Sequence, residues 1–219
     1  MGLSELLSTY GPNYLTALLT TWRITAISFA LVMVFSVLIT VLRVCPFKPL
    51  RLFGDFYVQV FRNIPGAVLL LIVVYALPHL KLVLDYEPSV VLCTVLLGSA
   101  FGSENFMSGI NTIGVGQIEA AWSIGLSFTK ILRHVVIPQA LRSAVLPMTN
   151  LFIAVMLTTA LGSQVPMSPQ ELTGLVSYIN TRESAGVVTF AVSACGYIAT
   201  ALVAGFVGNK IDQKVRVMR

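Results

Sequence analysis

Apolar positions in this chain come in long uncharged blocks, not in the short alternation of a half-buried strand. Ile24–Leu42, Ser143–Gln170 and Ser184–Asn209 contain no Asp, Glu, Lys or Arg. Each reaches the roughly 18 residues that mark a bilayer-spanning helix. Ile64–Pro78 and Pro88–Ser103 are shorter uncharged blocks. They span by borrowing "FYVQVF" ahead of the first and "SENFMSGI" behind the second, or else form re-entrant or interfacial segments. The pattern predicts an all-α integral membrane protein built as one domain over 1–219, with about five transmembrane helices near 15–42, 56–78, 88–106, 141–162 and 184–208.

Composition agrees with a lipid solvent. Hydrophobic residues make up 56% of the 219 positions and charged residues only 11%, against about 25% in a soluble domain. The charges that remain set the orientation. Of the 14 Lys and Arg, most fall in three groups: Arg43, Lys48, Arg51; Lys130, Arg133, Arg142; and Lys210, Lys214, Arg216, Arg219. With five spans these groups share one side, which the positive-inside bias assigns to the cytoplasm, leaving the N-terminus outside and the C-terminus inside. The net charge of +5 therefore reflects topology in lipid and is no nucleic-acid footprint. "MGLSELLSTYGPNYLTALLTTW" lacks a basic n-region and a small-residue cleavage site, so no removable signal peptide is expected. Leu6 stands where a myristoylation site needs a small residue. Cys45, Cys93 and Cys195 have no paired spacing and read as apolar fillers.

Polar residues at or inside the spans are the candidate chemistry. Arg23, near the outer end of the first span, is expected to snorkel to the headgroups, with a substrate-facing role as the alternative. Pro65 breaks the second span's hydrogen-bond ladder just after Arg62 and Asn63; either the break lines a cavity, or Arg62 marks the span's cytoplasmic end. In the third span, Gly98 and Gly102 have the spacing that lets helices approach closely, more often within one chain than between two. Ser103, Glu104 and Asn105 follow. Glu104 must face protein or water, as a partner for Asn105 or a nearby Arg, or as a substrate contact. Between the last two spans, Gln170–Ile179 reads as a short interfacial helix with Leu172, Leu175, Val176 and Ile179 on one face; it is a solvated loop or a docking surface for an external partner.

One segment interrupts the apolar text: "GQIEAAWSIGLSFTKILRHVVIPQALRSAVLP", Gly116 to Pro147. Ile118, Ala121, Trp122 and Gly125 fall on one helical stripe, and Gly125 permits a sharp turn. A second amphipathic turn sets Ile131, Leu132, Val135 and Val136 against Lys130, Arg133 and His134, with Pro138 expected to end it. The prediction is a helix–turn–helix on the cytoplasmic side between the third and fourth spans, exposing a Gly-kinked knuckle.

This stretch resembles the EAA loop of ABC importer permeases, in the polar amino-acid branch, through Gly116, Gln117, Glu119, Ala120, Ala121, Gly125, Ile137, Pro138, Gln139, Ala140, Arg142, Pro147 and Asn150. "FYVQVFRNIP" is similar to a second family motif through Tyr57, Val58, Phe61, Arg62 and Pro65, and the likeness runs from about Leu18 to Lys214. The resemblance implies a coupling helix over about 116–138 that docks on a cytoplasmic ABC ATPase dimer. Gly116, Gln117, Glu119, Ala120, Ala121, Trp122, Gly125 and Pro138 are the expected coupling residues. No phosphate-cradling G-x-x-x-x-G-K-[ST] loop occurs here, so no cofactor is expected in this chain, with ATP and Mg bound by the ATPase. An extracytoplasmic solute-binding protein, membrane lipid and a second permease subunit complete the expected partners, in a bacterial cytoplasmic (inner) membrane.

Departures from the family pattern bear on the substrate. Met107 stands where the family carries an Arg, and "LTTA" (Leu157, Thr158, Thr159, Ala160) replaces "K[DN]TS". The expected pathway residues are Arg62, Ser103, Glu104, Asn150, Thr158 and Thr159. The lost carboxylate favours glutamate, glutamine or aspartate over a cationic solute, and a non-identical sister subunit is expected to supply further contacts. Two rival classes are a stand-alone secondary transporter and a membrane-embedded enzyme. Intramembrane acid pairs would favour the first; for the second, Glu104, His79 and His134 do not converge in the predicted topology.

Overall fold

The computed structural model describes residues 2–183 and 186–215. Ser184, where the last expected span begins, and the basic Arg216 and Arg219 lie outside the described residues. Those described form helices and connecting turns, with no strand among them. Four helices are long and apolar enough to cross a membrane: α1 (Leu3–Val44), α4 (Tyr86–Ile110), α7 (Val145–Gln164) and α9 (Val187–Val215). A bent pair, α2 (Lys48–Asn63) and α3 (Gly66–Leu80), makes a fifth if it counts as one span.

The second expected span is thus not straight: α2 and α3 meet at 102°. Pro65 offers no N–H and pushes Ile64 into extended backbone (φ −85°, ψ 129°), as the residue before a proline prefers. Residues 56–63 therefore do not lengthen the apolar run that follows. They belong to an amphipathic helix whose outer face leaves Leu52, Phe53 and Phe56 exposed. Its inner face is pinned by the Tyr57 hydroxyl, 2.7 Å from Ser99 Oγ and 3.1 Å from the Leu96 carbonyl.

The bundle is organised around α1 and α4. Thr21, Thr25, Ser28, Val32, Ser36 and Thr40 of α1 are buried, a stripe of short side chains three or four apart. Against it α4 sets Gly98, whose missing Cβ would lie 2.7 Å from Val32 Cγ2, and Gly102, whose missing Cβ would overlap the Ser36 side chain. The small-residue spacing in the third span therefore serves packing within the chain.

The short helix expected over Gln170–Ile179 is present as α8 (Leu172–Asn180) with the expected apolar residues on one face. That face is covered within the chain, not left to solvent: Leu172, Leu175 and Ile179 are buried with Leu6, Tyr14 and Ala17 of α1. α1 starts at Leu3, not near residue 15, and its extra turns supply that cover. Glu171 caps α8, accepting from the N–H groups of Thr173 and Gly174 at 2.6 Å each and from the Tyr197 hydroxyl at 2.9 Å. Burial pushes its carboxyl above the usual carboxylate range, against the pull of those three hydrogen bonds. Arg23 is half-exposed and pairs with Glu87 at the start of α4 rather than reaching outward alone.

Candidate functional site: an exposed knuckle and a polar cleft

At one end of the bundle, α5 (Val115–Ser123) and α6 (128–143) fold back on each other. Gly125 sits between them at φ +79°, with open space where a Cβ would stand, so the turn requires glycine for its backbone conformation and not for room. Ile113, Ala121, Ile131 and Val136 form a small buried core beneath the turn. Gln139 Nε2 donates to Gln117 Oε1 at 2.7 Å, tying α6 to α5.

The expected stripe of Ile118, Ala121, Trp122 and Gly125 is divided. Ala121 is buried and Ile118 partly so, while Trp122 (60% exposed) and its neighbour Ile124 (77%) point outward. Gly116, Glu119 and Ala120 are exposed beside them. Sequence reasoning passed over Val115 and Ile124, the latter because it breaks the helical register once Gly125 turns the chain. Pro138 does not end the second helix. A π turn over Leu132–Val136 leads directly into Ile137–Ser143, with Pro138 just behind it, so the helix runs on past the missing N–H through a locally widened turn.

A second feature lies along the bundle wall: a cleft of about 580 Å³ between the α2–α3 break, α4 and α7. It gathers Arg62, Asn150 and Thr158 of the expected pathway residues, together with Asn105 and Thr94. Thr94, Gly98, Phe101 and Asn105 share one face of α4 by their spacing. The Asn105 amide donates to the Pro147 carbonyl at 3.1 Å, and Thr158 Oγ1 bonds Ala154 of its own helix at 2.8 Å. Thr94 went unnoticed in the sequence because one hydroxyl in an apolar helix carries no local signal.

Ser103 and Thr159 are not in the cleft. Thr159 is fully buried and donates to the Met156 carbonyl at 2.7 Å. Ser103 is fully buried in an ionic cluster just behind the cleft. There Arg43 reaches Asp55 at 2.9 Å, Glu104 at 2.9 Å and Ser103 Oγ at 3.1 Å. Arg62 approaches the same Glu104 oxygen at 3.7 Å, its guanidinium 5.5 Å from the centre of the Phe101 ring. Glu104 is thus an ion-pair partner for two arginines and is not among the groups lining the cleft. The sequence marks Arg43 only as a topological charge and does not single out Asp55; a lone acid in a basic, aromatic helix is the available signal.

A bundle with a broken second span, a wall cleft and a knuckle held on its own small core is an assembly that can be matched as a whole. The family model for the binding-protein-dependent transport system inner membrane component matches residues 33–217. The chain belongs to that family. This permease is also 32% identical over 229 residues to a glutamate transport system permease protein of Corynebacterium efficiens, covering 99% of this chain and 100% of that one. It is 34% identical over 142 residues to an L-cystine transport system permease protein of Bacillus subtilis, covering 65% of this chain and 61% of that one. Among solved structures, an amino acid ABC transporter crystallised with histidines shares its fold at a TM-score of 0.89 and 22% identity, over 98% of this chain and 99% of that one. The MetNI methionine ABC transporter in an inward-facing conformation does so at 0.80 and 19%, over 95% and 99%. As a permease, the chain is a multi-pass, non-catalytic membrane subunit, and ATP hydrolysis falls to a partner ATPase.

Proposed function

We propose that this permease forms half of the translocation pathway of an ATP-driven importer for a polar amino acid, with glutamate, glutamine or aspartate favoured. Its knuckle is the surface on which the ATPase dimer docks. The observation that carries the coupling role is the exposure of Trp122 and Ile124 at a left-handed glycine turn. Exposed aromatic anchors beside small residues suit a grooved partner, and Ala120 allows it close approach. The cleft holding Arg62, Asn150 and Thr158 is this subunit's share of the pathway, with no carboxylate among its lining residues. The glutamate and cystine specificities named for the relatives support the substrate class.

In this reading residues 1–219 are one permease domain in the bacterial cytoplasmic membrane, the N-terminus outside and the knuckle inside. ATP and Mg are held by the ATPase, and an extracytoplasmic binding protein delivers the solute. A second, non-identical permease closes the pathway, since one cleft open along a bundle wall encloses nothing. Affinity purification of the chain in mild detergent, with the co-purifying proteins identified by mass, tests the assembly. An ATPase with a second permease supports the heteromeric importer; an ATPase with no other membrane chain replaces it with a homodimer. A well-folded sample carrying neither overturns the coupling role.

A further inference from the structure

The cleft has an unusual electrostatic state, and it indicates what part of a solute it receives. Arg62 is the single charged side chain among its lining residues. Its ion pair is loose: 3.7 Å to Glu104, with 40% of the side chain exposed. Arg43 holds the same Glu104 oxygen at 2.9 Å and is itself only 12% exposed. Phe101 offers Arg62 a ring face on one side, which limits the planes the guanidinium can adopt.

Glu104 would therefore not be stranded if Arg62 let go. Breaking a buried pair is costly when it leaves a charge uncompensated; here Arg43 stays, and Asp55 and Ser103 complete its contacts. Arg62 can exchange partners at small cost, whereas Arg43 cannot.

We infer that Arg62 is the residue that receives a carboxylate of the passing solute, exchanging Glu104 for it while Arg43 keeps Glu104 paired. This rests on the import reading above and adds the chemical group recognised and the residue that selects it. The planar fork of an arginine binds two carboxylate oxygens at once, which lysine does not reproduce.

The test is ATP-driven uptake of radiolabelled L-glutamate, L-glutamine and L-lysine into proteoliposomes containing the assembled importer, with saturating binding protein. Arg62→Gln is expected to lower the turnover of the transported amino acid by about tenfold or more, leaving the KM for loaded binding protein and the melting temperature of the complex unchanged. Arg62→Lys should recover part of that loss. Arg62→Gln at wild-type turnover overturns the inference. If Arg62→Gln fails to assemble, Arg62→Lys decides: wild-type turnover makes the residue a simple ion-pair partner and overturns the inference, while reduced turnover in a complex of normal stability upholds it. Wild-type complex that carries none of the three, nor L-aspartate supplied in the same assay, fails differently, overturning the import reading itself.

Discussion

Gly125 and Glu171 show how much a single position can carry. At φ +79° and with nothing near its Cβ position, Gly125 is constrained by backbone alone. A β-branched residue there faces about 1–2 kcal/mol of left-handed strain, concentrated in an exposed turn and not in the bundle. Gly125→Val is expected to insert and fold normally yet transport several-fold more slowly, with ATPase activity no longer stimulated by loaded binding protein. Loss of the folded subunit in fluorescence-detected gel filtration would instead assign Gly125 to folding. Glu171 makes the opposite case, a carboxylate sunk under α8. Its folded pKa is raised by burial, so its contribution to stability is fully present below the ordinary carboxylate value and is lost as pH rises through the raised one. Glu171→Gln removes the charge but keeps an acceptor oxygen for only one of the two N–H groups, since Thr173 donates to Oε2 and Gly174 to Oε1. Any melting-temperature advantage of the variant over wild type should therefore shrink on acidification from about pH 8 to about pH 5; a difference independent of pH would show that the charge is not what burial opposes.

At the scale of elements, the sequence announced helices better than it announced breaks. The apolar face of α8 was readable, and so was the small-residue face of α4; each followed from spacing within a few turns. What covers them was not readable, because Leu6 and Tyr14, or Val32 and Ser36, lie far away in the chain. The closeness of α1 and α4 is testable. Gly102→Val would drive its branches into Ser36, with Leu151 also near, and overpacking of this kind typically costs about 1–3 kcal/mol. A lower melting temperature and reduced yield of folded subunit are expected; an unchanged value would mean that α1 moves freely against α4. Prolines were the harder signal. Pro65 and Pro138 look alike in a sequence, yet one bends a span by 102° and the other sits just behind a π turn in a helix that runs on past it. Only the helix register around each decides between these outcomes.

At the scale of the whole molecule, the Arg43 cluster joins the end of α1 to α2 and α4. Arg43→Gln takes the shared cation from Glu104 and Asp55, leaving Arg62 at 3.7 Å from Glu104. Breaking a buried pair on one side costs about 3–5 kcal/mol, and the partial exposure of both acids sets the expectation at or below the lower end. Thermal unfolding should show Arg43→Gln well below Arg62→Gln; equal midpoints would mean that the two arginines are interchangeable. Taken alone, the sequence determined the solvent, the all-helical class, the knuckle's residues and the family, because each depends on composition or on spacing within one or two turns of chain. Tertiary structure decided the rest: that Ser103 and Thr159 turn away from the cleft, that Glu104 is shared between two arginines, that α8 is buried beneath the first turns of α1. Those outcomes depend on which faces of distant helices meet, and no local periodicity records that choice.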